Sequence, residues 1–418
     1  MNFTDLYLLR VLLFACLLAS ACADRQHRNP LDPLGDFSDN SVTALAVLAG
    51  DDEVVLRWDY THFTDIAGYQ IYRSVGGGDF VEQLVEPLGK EAKEFVDLDV
   101  ENGITYAYRL ALLVENEGER FVDFIQRATP GPETAWVADQ VSGVVWKLSP
   151  DGRAAQLSVG RFPDMQGVAL DRQSGELWVS DRFLQGLQIV DPMGDLRQVE
   201  VDIDELGVLS FDIENRIGWL GDNQRQEVNY FALENGVDTL ALTTIDAHFE
   251  AVSLLAAAER QCWIADEVAG RALLYSIENK QIVEFTGLDG IGGLAAGLDG
   301  QGWILVEEGE TLIRLDRAGG LLRLQLPAAG GRALAVDRVT GNCWVAGASD
   351  IIAYSPQGNA VIQWSGLDGG RAIAIDEVQR RVWVGAGSAL WKFTMEGQQL
   401  VRLGGFVNLF GVEINPGI

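Results

Sequence analysis

A tryptophan recurs at positions 136, 178, 219, 263, 303, 344 and 383, at intervals of 42, 41, 44, 40, 41 and 39 residues. Near-copies of one short strand surround these positions: TAWVAD, ELWVSD, IGWLGD, QCWIAD, GNCWVAG and RRVWVGAG. No other feature restricts the fold as much. A unit of about 40 residues cannot bury its own apolar face, so it must stack against its neighbours.

The units can be written out strand by strand. In the second, GVALD (167–171) leads through the turn RQSG to ELWVSD, then to GLQIVDPMGD and LRQVEV. In the sixth, ALAVD (333–337) leads through RVTG to NCWVAG, IIAYSPQG and AVIQW. Four β-strands per unit at this period predict propeller blades. The strands that precede the tryptophan strands read GVALD, VLSFD, AVSLL, GLAAG, ALAVD and AIAID, with a seventh copy, GVEIN (411–415), at the C-terminus. GVEIN has no tryptophan strand after it, and TAWVAD has no such strand before it. The two are expected to share one sheet, which removes the open edges that invite aggregation. The expectation is a seven-bladed β-propeller over 134–418, closed by the C-terminal strand, with each tryptophan filling the wedge between blades.

The order strand, Asp, turn, strand ending in Val-Ala-Asp, strand, then Ser149-Pro150-Asp151-Gly152 resembles the NHL and YVTN repeat families. That resemblance covers 134–415 and implies a fold rather than an activity. Upstream, VVLRW (54–58), GYQIYRS (68–74), KEFVDL (93–98), ITYAYRLALL (104–113) and FVDFIQRATP (121–130) alternate apolar and polar residues between turn signals, as a β-sandwich does. Trp58, the run Gly68 to Tyr72 and the run Asn102 to Tyr106 resemble a fibronectin type III domain over 41–130, with Tyr106 at the corner-tyrosine position. This resemblance implies a spacer or adhesion module. The whole chain is expected to be all-β.

The N-terminus carries an address. Leu6 to Ala21 is apolar except for Arg10 and Ser20, too short for a membrane span and suited to a signal peptide over 1–21. Leu18-Ala19-Ser20-Ala21-Cys22 resembles a bacterial lipobox, which implies lipidation of Cys22, a spacer over 22–40 and an exported, outer-membrane lipoprotein of the cell envelope. Only Cys262 and Cys343 then remain in the folded part, on strands two units apart. That separation is too large for a disulfide, so both read as buried free thiols. With 61 acidic and 31 basic residues the net charge is −30, which disfavours nucleic acid as a partner.

Propeller geometry points to the mouth of the central channel as the candidate site. The first residues of the strands lining the channel are read as Gln166, Gly207, Glu250, Gly292, Arg332, Arg371 and Phe410. Three residues after tryptophan stand Asp139, Asp181, Asp222 and Asp266 in units one to four, but Val306, Gly347 and Ala386 in units five to seven. The candidate ligand-binding set is Arg332, Arg371, Glu250, Gln166, Asp139, Asp181, Asp222 and Asp266. Two plainer readings stand beside it: the arginines pair with nearby carboxylates, and the aspartates cap the following loop. A lactonase-like site needs several oxygen ligands around a cation, of which Glu250 supplies one, while Arg332 and Arg371 repel the ion. A streptogramin-lyase-like site needs a histidine base, and His248 is the only histidine after residue 62. No nucleophile elbow, zinc spacing or phosphate loop is present. The sequence therefore favours a monomeric, non-catalytic binding protein without cofactor or metal, with a protein, glycan or anionic group as partner and the membrane reached through the lipid alone. A metal-dependent propeller hydrolase or lyase is the alternative.

Overall fold

The structure is a computed structural model that describes residues 45–416 apart from 61–65, 84–85, 123–124, 235 and 327–329. Cys22, the signal peptide and the spacer lie outside the described residues. The chain is all-β, and its helical segments among the described residues are two single 3-10 turns, Leu298–Gly300 and Glu307–Gly309.

Residues 134–415 form seven four-stranded antiparallel sheets. Sheet 1 combines Thr134–Asp139, Val144–Leu148 and Ala155–Gly160 with the C-terminal strand Leu409–Asn415. Sheets 2 to 7 follow at 165–199, 206–244, 252–286, 293–325, 333–365 and 370–404. Val137 pairs with Val412 and Trp136 with Glu413, so the first and last parts of the repeat region share one ladder. The first strands of consecutive sheets pack against one another in order, and Met165–Leu170 of sheet 2 also packs against Leu409–Asn415.

Each grid tryptophan lies in the second strand of its sheet and is at most 1% exposed. Its ring is buried against the next sheet. Trp263 packs with Ile304, Ile313 and Leu315 of sheet 5, and Trp303 with Cys343, Val345 and Ile352 of sheet 6. Trp383 packs with Ala135, Val137 and Leu148 of sheet 1. A side chain built on Gly302 would start 2.5 Å from the Trp263 ring, which is why a glycine faces it. Burying a side chain of roughly 150–250 Å² at each boundary makes the tryptophan the repeated adhesive of the array. Trp383 differs in having a polar partner: its indole N–H donates to Glu133 Oε1 (3.0 Å), whose other oxygen accepts from Lys392 (2.7 Å). Cys262 and Cys343 are free and fully buried, and burial pushes both thiols up from their ordinary range.

The N-terminal region has its own core. Ala46–Ala49, Val54–Arg57 and Glu94–Asp97 form one sheet, and a six-stranded sheet is built around Ile66–Val75 paired with Tyr106–Val114. Trp58, Tyr69, Ile71, Tyr108 and Leu110 fill the space within this core. The segment expected as one strand over 121–130 is instead two short strands, Gly118–Phe121 and Gln126–Ala128, paired with opposite halves of Tyr106–Val114. The registers show why: from Ala111–Phe121 to Tyr108–Gln126 the segment advances five residues against three, so the ladder is interrupted there, and the hairpin at Asn116 and Gly118, both at positive φ, brings the pairing forward to Gly118. Tyr106 Oη accepts the Glu101 N–H at 2.9 Å and pins that corner.

This region meets the repeat array at turns that follow third strands. Gly131 N–H donates to Gly50 O, and Arg57 reaches Met193 O and Asp195. Lys147 donates to Pro192 O at 2.8 Å, and burial lowers its pKa to about 8 against the opposing pull of Asp191 and Glu53. First and third strands run parallel, so these turns lie at the end of the array opposite the starts of the first strands.

Candidate functional site

At the starting end, each first strand meets the end of its tryptophan strand, and in most sheets the register slips there. Met165 pairs with Asp181 and Gly167 with Ser180, which leaves Gln166 in a bulge. The same slip leaves Ser253, Arg371 and Phe410 in bulges of sheets 4, 7 and 1, and in sheet 3 it falls between Leu206 and Leu209. In sheet 6, Arg332 takes the corresponding place: Ala333 pairs with Ala346, and the Arg332 N–H donates to Ala346 O. A bulge re-aims one side chain out of the ladder, so these residues ring the mouth.

This register corrects one expectation. Counting from Trp263 places Ser253, not Glu250, on the ring. Two residues after the position that faces tryptophan stand Asp171, Asp212, Asp337 and Asp376 in sheets 2, 3, 6 and 7, whereas in sheet 4 the corresponding position is Ala258. Without the aspartate marker, AVSLL aligns three residues too early. Glu250 is exposed on the loop before the strand, where its N–H donates to Asp266.

The expectation that the four aspartates face a ligand is also corrected. Asp139, Asp181, Asp222 and Asp266 are at most 1% exposed. Asp139 accepts the amides of Val407, Asn408 and Ser142, and Asp181 those of Asp164 and Phe183. Asp222 accepts from Gln224 and Arg225, and Asp266 from Glu250, Ala251 and Arg271. Asp139, Asp181 and Asp266 thereby join the loop entering a sheet to the turn leaving its second strand, as a side chain with two acceptor oxygens can, while Asp222 caps its own turn alone. Burial pushes Asp266 up, but the amides of Ala251 and Glu250 together with Arg271 outweigh it and hold the carboxyl below its ordinary range.

Sheets 5 to 7 lack that aspartate. A backbone bond from the residue four after tryptophan to the entry loop is common to both groups: Gln140 to Asn408 O, Arg182 to Asp164 O, Asn223 to Glu205 O and Glu267 to Ala251 O in sheets 1 to 4, Glu307 to Asp289 O and Gly387 to Gly369 O in sheets 5 and 7. Sheets 5 to 7 add Gly331 to Gly309 O, Gly369 to Ala348 O and Gly370 to Gly347 O. Several of these bonds cross from one sheet to the next. They require close backbone approach: a Cβ on Gly309, at φ +87°, would stand 2.1 Å from Gly331 O.

The ring residues differ in what they are free to do. Gln166 is half-buried and engaged, accepting from Arg182, which is itself held by Asp164 and Glu205. Arg332 and Arg371 are exposed, and neither has an ion-pair or hydrogen-bond partner for its guanidinium among the described residues. The Arg332 side chain extends toward sheet 7, with Nη1 3.7 Å from the Cβ position of Gly369, two residues before Arg371. Arg332 and Arg371 therefore stand at equivalent ladder positions of adjacent sheets. A small hollow at the entry of sheet 6, bounded by Gly331, Gly347, Ser349 and Asp350, measures about 30 Å³. That is room for about one water, so a ligand here rests on the mouth rather than sinking into a pocket.

The opposite end of the channel is crossed by an ion pair. Arg338 of sheet 6 donates to Glu214 of sheet 3 at 2.8 Å, while its N–H donates to Glu377. Inside the ring, six positions facing a tryptophan across the ladder hold alanine or serine: Ala169, Ser210, Ala256, Ala295, Ala335 and Ala374. The seventh holds Glu413. Burial raises Glu413 to about 7, despite Arg172 nearby and the Leu170 N–H it accepts. His248 lies on the exposed loop before sheet 4. Among the described residues, no three His, Cys, Asp or Glu side chains converge as a metal site.

Sequence reasoning missed the Arg338–Glu214 pair and Glu413. The first joins residues 124 apart with no local signal; the second was visible as the one large polar residue in a row of small ones.

No protein-family model matches the chain, and no curated protein matches it. Solved structures do. A functionally unknown protein from Desulfotomaculum acetoxidans superposes with a TM-score of 0.55 at 13% identity, covering 67% of this chain and 98% of that one. The WD40 repeats of RRP9 give 0.49 at 9% identity, covering 60% and 83%. Selenomethionine-substituted virginiamycin B lyase from Staphylococcus aureus gives 0.46 at 11% identity, covering 58% and 84%. At these identities the likeness concerns fold alone. The run of four-stranded antiparallel sheets with first strands packed in cyclic order, together with the fold likeness to the Desulfotomaculum acetoxidans protein, makes the repeat region a β-propeller.

Proposed function

We propose that the chain is a cell-envelope binding lipoprotein whose propeller mouth holds an anionic group through Arg332 and Arg371. The observation that carries this reading is the pair of exposed arginines without carboxylate partners, in a chain of net charge −30. Guanidinium forks match carboxylate and sulfate oxygens in a planar, bidentate way. The partner is a protein or glycan bearing such a group. Cys22 is the lipid anchor at the end of the 22–40 spacer, and 41–130 is a fibronectin type III-like module, a reading supported by the Tyr106 corner and the Trp58 core. The propeller has seven blades closed by the C-terminal strand; the pairing of Val137 with Val412 supports this. Because the N-terminal module meets turns opposite the mouth, the anchor leaves the mouth free to face a partner.

The test uses single-anion probes, an acetylated dipeptide acid and a monosulfated disaccharide, titrated against the full chain by calorimetry. Arg332→Ala with Arg371→Ala is expected to weaken binding at least tenfold while Asp181→Asn retains it. Equal affinities for the double variant and the parent would end the proposal. Separately, Cys22→Ser is expected to move the protein from the membrane to the soluble fraction.

A further inference from the structure

From the arrangement of side chains around the mouth we infer that the partner is a polypeptide segment in which a carboxylate stands beside apolar side chains. The inference rests on the proposed anion site and extends it along the ring. Sheets 6, 7, 1 and 2 are consecutive around the channel, and their mouth residues run in order: Arg332, Arg371, then Phe410, then the tips Val407, Val141 and Phe183. The three tips are 60%, 67% and 69% exposed, large values for apolar side chains on adjoining turns.

These tips are held rather than loose. Val407 N–H donates to Asp139, whose other backbone partners include Ser142 just after Val141, and Phe183 N–H donates to Asp181. Gln140 Nε2 donates to Met165 O and ties the sheet 1 turn to the entry of sheet 2. The buried aspartates thus present apolar side chains outward from fixed backbone, a preorganised surface that a partner need not order at its own cost. On sheets 5 to 7 the residues five after tryptophan are Glu308, Ser349 and Ser388, and on sheet 3 the residue is Gln224, which separates the equally exposed Val268 of sheet 4 from this stretch.

The chemistry chooses between partner classes. An acidic glycan carries charge along its length, and beyond the arginines, on sheet 5, it would meet exposed Glu307 and Glu308. On the other side its hydroxyls would lie against the side chains of Val407, Val141 and Phe183, which offer no conventional hydrogen-bond partner. A peptide with one localised carboxylate and neighbouring apolar side chains satisfies both sides, pairing charge with the arginines and covering Val407, Val141 and Phe183.

The probe is a random display library of dodecapeptides panned against the immobilised full chain, followed by affinity measurement on synthetic winners. Sequences that join Asp, Glu or a free C-terminus to apolar residues are expected, losing at least tenfold in affinity on Arg332→Ala/Arg371→Ala and at least fivefold on Val141→Ser/Phe183→Ser/Val407→Ser. The triple variant changes exposed tips only, and an unchanged melting temperature verifies its fold. Recovery of no such peptide, or peptides indifferent to the triple variant, overturns the inference. If the monosulfated disaccharide still binds through the two arginines in that event, the anion site survives and the partner is a glycan. If the arginine variant binds every probe as the parent does, the anion site itself falls.

Discussion

The two arcs of the mouth solve one structural problem with different chemistry. In sheets 1 to 4 a buried aspartate gathers amides of the loop corner beside one backbone bond; in sheets 5 to 7 backbone bonding is joined by glycine contacts that cross from one sheet to the next. The aspartate arc consumes its charge in holding the fold, and its outward residues on sheets 1 and 2 are apolar. The glycine arc needs no side chain for its corners, which leaves Arg332 and Arg371 unengaged. Conspicuous charges are therefore a poor guide to a binding site; what separates site from scaffold is whether a charge already has a partner.

The comparison breaks most sharply at Gly309. Placing Val there puts a β-branched side chain at φ +87° with its Cβ 2.1 Å from Gly331 O. A loss of roughly 3 kcal/mol is expected from strain and displaced backbone, read as a lower guanidinium midpoint. Gly319, at φ +89° with open space around it, is the control and should lose less for the same change.

Next in size is Asp266→Ala, which leaves buried amides of the corner without acceptors, at about 2 kcal/mol. The folded pKa of Asp266 is depressed, so its stabilisation is present above the ordinary aspartate range and fades as pH falls through the folded value. The parent should lose stability on acidification more steeply than Asp266→Asn, as checked by thermal melts between pH 6 and pH 2. Parallel curves would show that the corner carboxylate is not under load.

Glu413 titrates in the opposite sense. Its folded pKa is raised to about 7, so its favourable contribution is complete when protonated and is lost between the ordinary glutamate range and pH 7. Glu413→Gln is expected to raise the melting temperature at pH 8 and to leave it nearly unchanged at pH 5. An equal shift at both pH values would contradict the raised pKa of Glu413.

The smallest effect belongs to the arginines. Removing both guanidinium groups should alter stability by no more than about 0.5 kcal/mol, as for exposed residues without partners. A loss of several times that would place them in the scaffold with the aspartates.

The architecture was legible because large buried side chains recur at fixed spacing: every grid tryptophan lies where its strand pattern implied, and GVEIN pairs with TAWVAD. The aspartates were legible as a set, yet their spacing alone does not say whether a carboxylate faces solvent or backbone; burial decides it. Glu250 was misplaced because the sheet 4 strand ends in Ala258, where other sheets supply an aspartate to mark the register. Arg332 and Arg371 stood out by their Gly-Gly leads, but their lack of partners depends on the distant chain around them. The Arg338–Glu214 pair had no signature, since only ring geometry brings residues 124 positions apart together.

The division of labour between the arcs is tested most directly by hydrogen exchange on the full chain, with and without the acetylated dipeptide acid near saturation. The account predicts added protection in peptides covering 330–333 and 369–372, and none at the aspartate corners around 250–252 and 266–269. Protection at those corners, or no change around either arginine, would contradict it.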